Sequence, residues 1–140
     1  MIEAEITYRV PYADTDQMGV VYYANFFVYF ERIRNELFRN IDLPYTVLEE
    51  HGVMLPVTKA TCDYKASALY DDLLTIKASI TEMKGCRLTV ENEVFNESGQ
   101  LLVKGGTIHC FVSSDTRRPV KIPDMVVEAV EVFRSSKAKE

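Results

Sequence analysis

YADTDQMGVVYYANFFVYFERIRNELFRN, residues 12–40, decides the fold. In its second half Phe26, Phe30, Ile33 and Leu37 recur at i, i+4, i+7 and i+11, the spacing of one face of an α-helix. Phe27, Tyr29 and Phe38 widen that stripe, so the spacing predicts a helix from about Tyr23 to Asn40 that a sheet embraces rather than one resting on a surface. Glu31, Arg32, Arg34, Glu36 and Arg39 supply its polar remainder. The first half of the stretch is a loop of turn formers, with Asp14 and Asp16 two apart and Gly19 just beyond.

Upstream, Ile2, Ala4, Ile6, Tyr8 and Val10 alternate with Glu3, Glu5, Thr7 and Arg9, the pattern of a half-buried strand that Pro11 ends. Downstream, Pro44, Gly52 and Pro56 mark a connection with a short helix near Tyr45–His51. Four strand-like runs follow at about 57–66, 73–83, 86–96 and 100–113. Lys84-Gly85 and Asn96-Glu97-Ser98-Gly99 read as hairpin turns between them. Asp124 opens a short amphipathic helix over MVVEAVEVF, and residues 135–140 read as a frayed tail. Strand, buried helix, then antiparallel hairpins fits an α+β fold with one sheet wrapped around the helix. A sandwich with the helix on one face has the same order of elements.

With 140 residues, 47% apolar and 26% charged, the chain is the size and composition of one globular domain, residues 1–140. Sixteen Lys and Arg against 21 Asp and Glu leave a net charge of −5, which argues against nucleic acid as a partner. No run approaches the ~18 apolar residues of a membrane span, and the alternating, acidic start is unlike a signal peptide. Cys62, Cys86 and Cys110 are odd in number and lack C-x-x-C spacing, so a disulfide framework is not expected and a reducing, cytoplasmic setting is.

The loop holds the most informative chemistry. An acid just ahead of a helix N-terminus faces unpaired backbone N–H groups, and these can hold an oxyanion developing on a substrate carbonyl. Such an acid can serve as nucleophile or as general base for water. The plain alternative is an N-cap or an Asx-turn. His109 and Cys110, adjacent in a strand, point to opposite faces and cannot form a Cys–His nucleophile. His51, His109 and the cysteines have no metal-ligand spacing, so no metal is expected. Gly105-Gly106 in a strand marks a bulge or a close approach.

The string Y-x-D-T-D-x-x-G-V-V-Y-Y-x-N-F-F-x-Y-F-E-x-x-R closely resembles the 4-hydroxybenzoyl-CoA thioesterase branch of the hotdog-fold superfamily, which includes the Tol–Pal-associated acyl-CoA thioesterases. The likeness continues in Asp63-Tyr64-Lys65-Ala66, in Asn96–Val103 and in Arg118-Pro119-Val120-Lys121-Ile122-Pro123. It implies a hotdog fold and hydrolysis of an acyl-CoA thioester, with Asp16 attacking the carbonyl or activating water. It implies that the backbone N–H of Tyr23 polarises that carbonyl, and that Tyr12 and Asp14 order the loop. Some relatives carry a His where this chain has Tyr23, so any help from that imidazole is missing here.

Glu31 matches the acid that faces the acyl ring in the 4-hydroxybenzoyl enzyme, although pairing with Arg34 or Arg32 is the reading favoured for it. CoA phosphates need local cations: Lys59, Lys65, Lys84, Arg87, Arg117, Arg118 and Lys121 are candidates, led by Arg117 and Arg118. Lys59 and Lys65 fit a strand bordering the site, in this chain or a neighbouring subunit. No cofactor is implied beyond the CoA of the substrate. The resemblance also implies a homodimer or homotetramer, since an exposed strand edge is a liability in a monomer. Two rivals share the fold: a non-catalytic binder of acyl-CoA or acyl-carrier protein, and an acyl-thioester dehydratase. The dehydratase needs a histidine at the helix mouth, and Tyr12–Arg39 has none.

Overall fold

In the computed structural model, which describes residues 2–138 (137 and 138 by backbone only), the chain begins with β1, Ile2–Arg9. A single 3-10 turn at Tyr12–Asp14 leads through the loop to α1, Asn25–Asn40. Then come α2 (Tyr45–Glu50), β2 (Val53–Met54), β3 (Val57–Tyr64), β4 (Leu73–Lys84), β5 (Arg87–Phe95), β6 (Leu101–Cys110), β7 (Val112–Ser113) and α3 (Asp124–Ala138). The last helix runs through the region read as frayed as far as Ala138; residues 139 and 140 lie outside the described residues.

Five strands form one antiparallel sheet in the order β1-β4-β5-β6-β3, and β2 pairs with β7 in a small separate sheet. The alternation seen in the sequence becomes two faces. Ile2, Leu74, Ile76, Ile80, Leu88, Val90, Val94 and Val103 are buried with Phe26, Phe30, Ile33 and Leu37 of α1. Glu3, Glu5, Lys77, Glu91, Glu93 and Lys104 line the outer face.

Helix α1 touches both edges of the sheet. Tyr29 meets Tyr8 of β1 with ring centroids 4.9 Å apart, and Phe26 meets Tyr64 of β3 at 5.8 Å. Those edge strands are four inter-strand steps apart, roughly 19 Å in a flat sheet. A helix about 10 Å across reaches both only if the sheet curls around it. That settles the choice left open by element order, in favour of the wrapped arrangement. Gly105 is where the wrapping is tightest: a Cβ there would collide with the Thr61 carbonyl and stand 2.9 Å from the Phe30 ring. The register runs through without a bulge at that point, so the glycine marks a close approach.

The two edges differ. Seven of the eight residues of β3 are exposed and the strand is unpaired on one side, with Cys62 and Tyr64 packed inward.

Candidate active site

Asp16 sits at the tip of a short closed loop. Thr15 and Val21 form a bridge across its base, Asp16 N–H donates to the Val20 carbonyl at 2.9 Å, and Gly19 N–H donates to the Asp16 carbonyl at 3.0 Å. Gly19 has φ +78°, a backbone conformation that favours glycine and lets the loop return so soon. One carboxylate oxygen of Asp16 accepts the Met18 N–H at 2.8 Å, an Asx-turn, so the plain reading of this acid is realised for Oδ1. No hydrogen bond to Oδ2 occurs among the described residues.

The loop's second half is pinned to the start of α1 by Asp14. Its carbonyl accepts the Tyr22 N–H and the Asn25 side-chain amide, each at 2.9 Å. Its carboxylate accepts the Tyr8 hydroxyl at 2.8 Å and the Tyr29 hydroxyl at 2.7 Å, both on Oδ2. Strand, loop and helix therefore meet on one aspartate. Burial first, and then the bond to Asp14, raise the Tyr29 hydroxyl well above its usual range and the Tyr8 hydroxyl in the same direction, so both stay protonated as donors. The Arg32 guanidinium lies 4.8 Å over the Tyr8 ring.

The helix that begins here has no side-chain cap: Ala24 stands at its N-cap, and the Asn25, Phe26 and Phe27 N–H groups turn back to the Tyr22, Tyr23 and Ala24 carbonyls at 2.9, 3.3 and 3.2 Å. Tyr23 N–H makes no hydrogen bond among the described residues, while its carbonyl accepts the Tyr64 hydroxyl at 3.0 Å and the Phe26 N–H at 3.3 Å. The Tyr23 side chain is 59% exposed and stacks beside Tyr22, centroids 4.8 Å apart. The Tyr22 hydroxyl is held up mainly by its contact with Tyr23, with a smaller push from the Asp16 charge. Asp16 thus lies on the closed loop that feeds the helix start, where the Tyr23 N–H is unbonded among the described residues. That combination can bind a carbonyl and bring an acid to it.

The other expected residues divide by position. Tyr12 is 78% exposed and packs edge-on against Tyr70, while its carbonyl holds Thr15. Lys65 follows β3 at the same end of the sheet as Tyr64 and is exposed. Lys59 lies toward the other end of β3, opposite Ile108. Arg117 (φ +63°) and Arg118 form an exposed turn after β7. From Val103, beside Tyr64, to Cys110, just before β7, the strand climbs about 24 Å. Within one chain, then, Arg117 and Arg118 are not brought to Asp16.

The favoured pairing of Glu31 does not form. Arg34, 8% exposed, gives its Nε to the Tyr45 hydroxyl at 2.8 Å, Arg32 covers Tyr8, and Glu31 stays exposed on α1 without an ion pair among the described residues. Tyr64 and Tyr8 are site residues that sequence reasoning did not single out. Both lie on inward positions of the sheet's edge strands, and that alternation was the available signal. The 680 Å³ hollow on the outer sheet face, lined by Glu3, Glu5, Lys77, Glu91, Glu93 and Lys104 among others, includes neither Asp16 nor Tyr23.

Residues 10–130 match the family described as Thioesterase-like superfamily. The chain is 34% identical over 119 residues to the acyl-CoA thioester hydrolase YbgC of Escherichia coli, an alignment that covers 85% of this chain and 89% of that one. It is 25% identical over 129 residues to the 4-hydroxybenzoyl-CoA thioesterase of a Pseudomonas species, covering 86% and 92%. A DHNA-CoA thioesterase crystal structure from Staphylococcus aureus matches with a TM-score of 0.87 at 29% identity, covering 99% of this chain and 95% of that one.

Proposed function

The chain belongs to the thioesterase-like superfamily, and from that premise we propose that it hydrolyses an acyl-CoA thioester to a free carboxylic acid and CoA. One observation carries the proposal: the loop that bears Asp16 is closed by the Thr15–Val21 bridge and leads straight into the start of α1, where the Tyr23 N–H is unbonded among the described residues. The substrate carbonyl oxygen takes the Tyr23 N–H, which stabilises the charge that grows there as the carbon is attacked. Asp16 either attacks that carbon, expelling the CoA thiolate and leaving an anhydride for water to open, or takes a proton from the attacking water. Both routes consume one water and release one acid and one thiol. A thioester is already activated toward acyl transfer, so the proposed reaction runs on the chain's own groups, with CoA entering only as part of the substrate.

The exposed edge of β3 supports a second copy as part of the working unit. Two-fold pairing through β3 runs the strands antiparallel, so the partner's Lys59 end comes alongside Tyr64 and Tyr23. Basic groups that lie far from Asp16 in one chain then approach it from the other, where CoA phosphates need them. A sedimentation mass equal to one chain at micromolar concentration would remove the partner from this picture.

Free-thiol release from a panel of acyl-CoAs tests the assignment. Asp16→Asn is expected to keep its circular dichroism spectrum and lose at least 100-fold in turnover, roughly 3 kcal/mol of transition-state stabilisation. Equal release by both proteins removes Asp16 from the reaction. Tight acyl-CoA binding with no release by either protein identifies the non-catalytic binder instead. A dehydratase is disfavoured by the two histidines. His51 is exposed at the end of α2, and His109 is 0% exposed and sealed beneath the sheet, so neither reaches the helix mouth.

A further inference from the structure

Three cysteines with no pattern in the sequence become a pair and a singleton in the fold. Cys86 follows the Lys84-Gly85 turn, Cys110 ends β6, and Arg87 stands opposite Cys110 in register. The Cys110 thiol donates to the Cys86 sulfur across 2.8 Å, less than an ångström beyond a covalent S–S bond of about 2.05 Å. The backbone around them is already fixed: Phe111 N–H donates to the Cys86 carbonyl at 2.8 Å, and Cys110 N–H to the Pro56 carbonyl at 3.3 Å. Both sulfurs belong to half-buried residues, open to a small oxidant, whereas Cys62 stands alone on β3.

We propose that Cys86 and Cys110 form an oxidisable dithiol, a modification site that closes to an intramolecular disulfide with a hydroperoxide as oxidant and reopens with a dithiol reductant. Burial, and then the bond to Cys86, hold the Cys110 thiol up to about 11. The Cys110 S–H is directed at the Cys86 sulfur, so Cys86 is the sulfur that attacks, giving up its own proton as it does so. Attack of the Cys86 thiolate on the peroxide oxygen breaks the O–O bond, forming a sulfenic acid and releasing water once the leaving oxygen is protonated. Cys110 then attacks the sulfenic sulfur, the S–O bond breaks, and a second water leaves. Two thiols and one H2O2 thus give one disulfide and two waters.

The bond would tie the β4–β5 turn to the β6–β7 junction. Those segments also hold the start of the last helix, because Ile122 N–H donates to the Gly85 carbonyl and Val120 N–H to the Phe111 carbonyl. The expected consequence is greater thermal stability, since a loop spanning 24 positions becomes closed in the unfolded chain. None of this depends on Asp16, and the Asp16→Asn protein should oxidise like the wild type.

The experiment treats the full-length reduced protein with a small excess of hydrogen peroxide, then counts thiols under denaturing conditions and measures intact mass. The expected result is a fall from three thiols to one with a mass loss of about 2 Da, and one linked peptide pair containing Cys86 and Cys110. The melting temperature should rise by several degrees and return on reduction. Cys86→Ser and Cys110→Ser, near-isosteric changes that keep the fold, should each abolish the mass loss. Retention of all three thiols, loss of Cys62 ahead of the pair, or cross-links between chains would overturn the proposal, and so would formation of the bond without a rise in melting temperature.

Discussion

At the Tyr64 end of the sheet α1 begins without a cap, Tyr23 N–H is unbonded, and Asp14 and Asp16 lie half-buried in a loop edged by tyrosines. At the opposite end the same helix covers another polar cluster, in which His109 and Arg34 are partnered. Buried His109 turns Nε2 to the Thr107 hydroxyl at 2.8 Å and Nδ1 to the Leu55 carbonyl at 3.3 Å, while Arg34 holds Tyr45. Since a carbonyl only accepts, Nδ1 carries the proton and Nε2 receives the Thr107 hydroxyl's. Burial, with the nearby Arg34 charge, lowers the His109 imidazole to about 4, so it stays neutral. Satisfied, neutral polar groups act as scaffold. Charged groups next to unspent donors are what a site needs, and they cost stability to keep. On the proposed function, the contrast separates a working end from a structural one.

Asp14 is where the working end should break most severely. Asp14→Ala leaves the Tyr29 hydroxyl, on a side chain 1% exposed, and the Tyr8 hydroxyl without their shared acceptor. An orphaned buried donor costs about 1–3 kcal/mol, so the pair should lower stability by about 2–4 kcal/mol in a urea titration. Thiol release should fall as well, because the Tyr22–Asn25 turn that presents the Tyr23 N–H loses its tie to β1. Tyr29→Phe removes one of the two bonds and should cost about 1 kcal/mol. A loss in Asp14→Ala no larger than that of Tyr29→Phe would mean that Asp14 does not tie strand to helix.

The contrast between the ends was only half legible in the sequence. Period-two and period-3.6 patterns gave β1, β4, β5, β6 and α1, because each buries one face and the repeat records it. The two-residue strands Val53–Met54 and Val112–Ser113 are too short to show a period. The loop acid and the helix start were visible as neighbours in the chain. The Tyr8–Asp14–Tyr29 junction was not, since it exists only where a strand edge meets a helix. Pairing Glu31 with Arg34 from helical spacing failed for the same reason: a tertiary partner, Tyr45, took the guanidinium. The Cys86–Cys110 apposition depends on strand register, which no spacing rule reveals.

The scaffold end should respond to acid. His109 sits at about 4 folded against 6.5 for an ordinary histidine, so between those values the unfolded chain binds the proton and the folded chain does not. Stability is then complete above about pH 6.5 and is lost as pH falls toward 4, by about 2–3 kcal/mol between pH 7 and pH 4.5. Urea titrations at the two pH values read this loss, and His109→Gln should flatten the difference. An equally steep fall in the variant would assign the acid sensitivity to other groups.

Glu31 should show the smallest effect on stability and the most selective one on chemistry. It lies on α1 between the two ends, exposed and without an ion pair among the described residues. Its removal forfeits little folding energy, and Glu31→Ala should stay within about 0.5 kcal/mol of wild type. A carboxylate left without an ion pair on α1 is free to accept a hydrogen bond from a hydroxyl on an acyl group. If it does so, Glu31→Ala lowers kcat/KM for hydroxylated aryl-CoAs by about tenfold, the worth of one hydrogen bond to a charged acceptor, and leaves unsubstituted acyl chains alone. A uniform change across both classes would return Glu31 to the solvated surface.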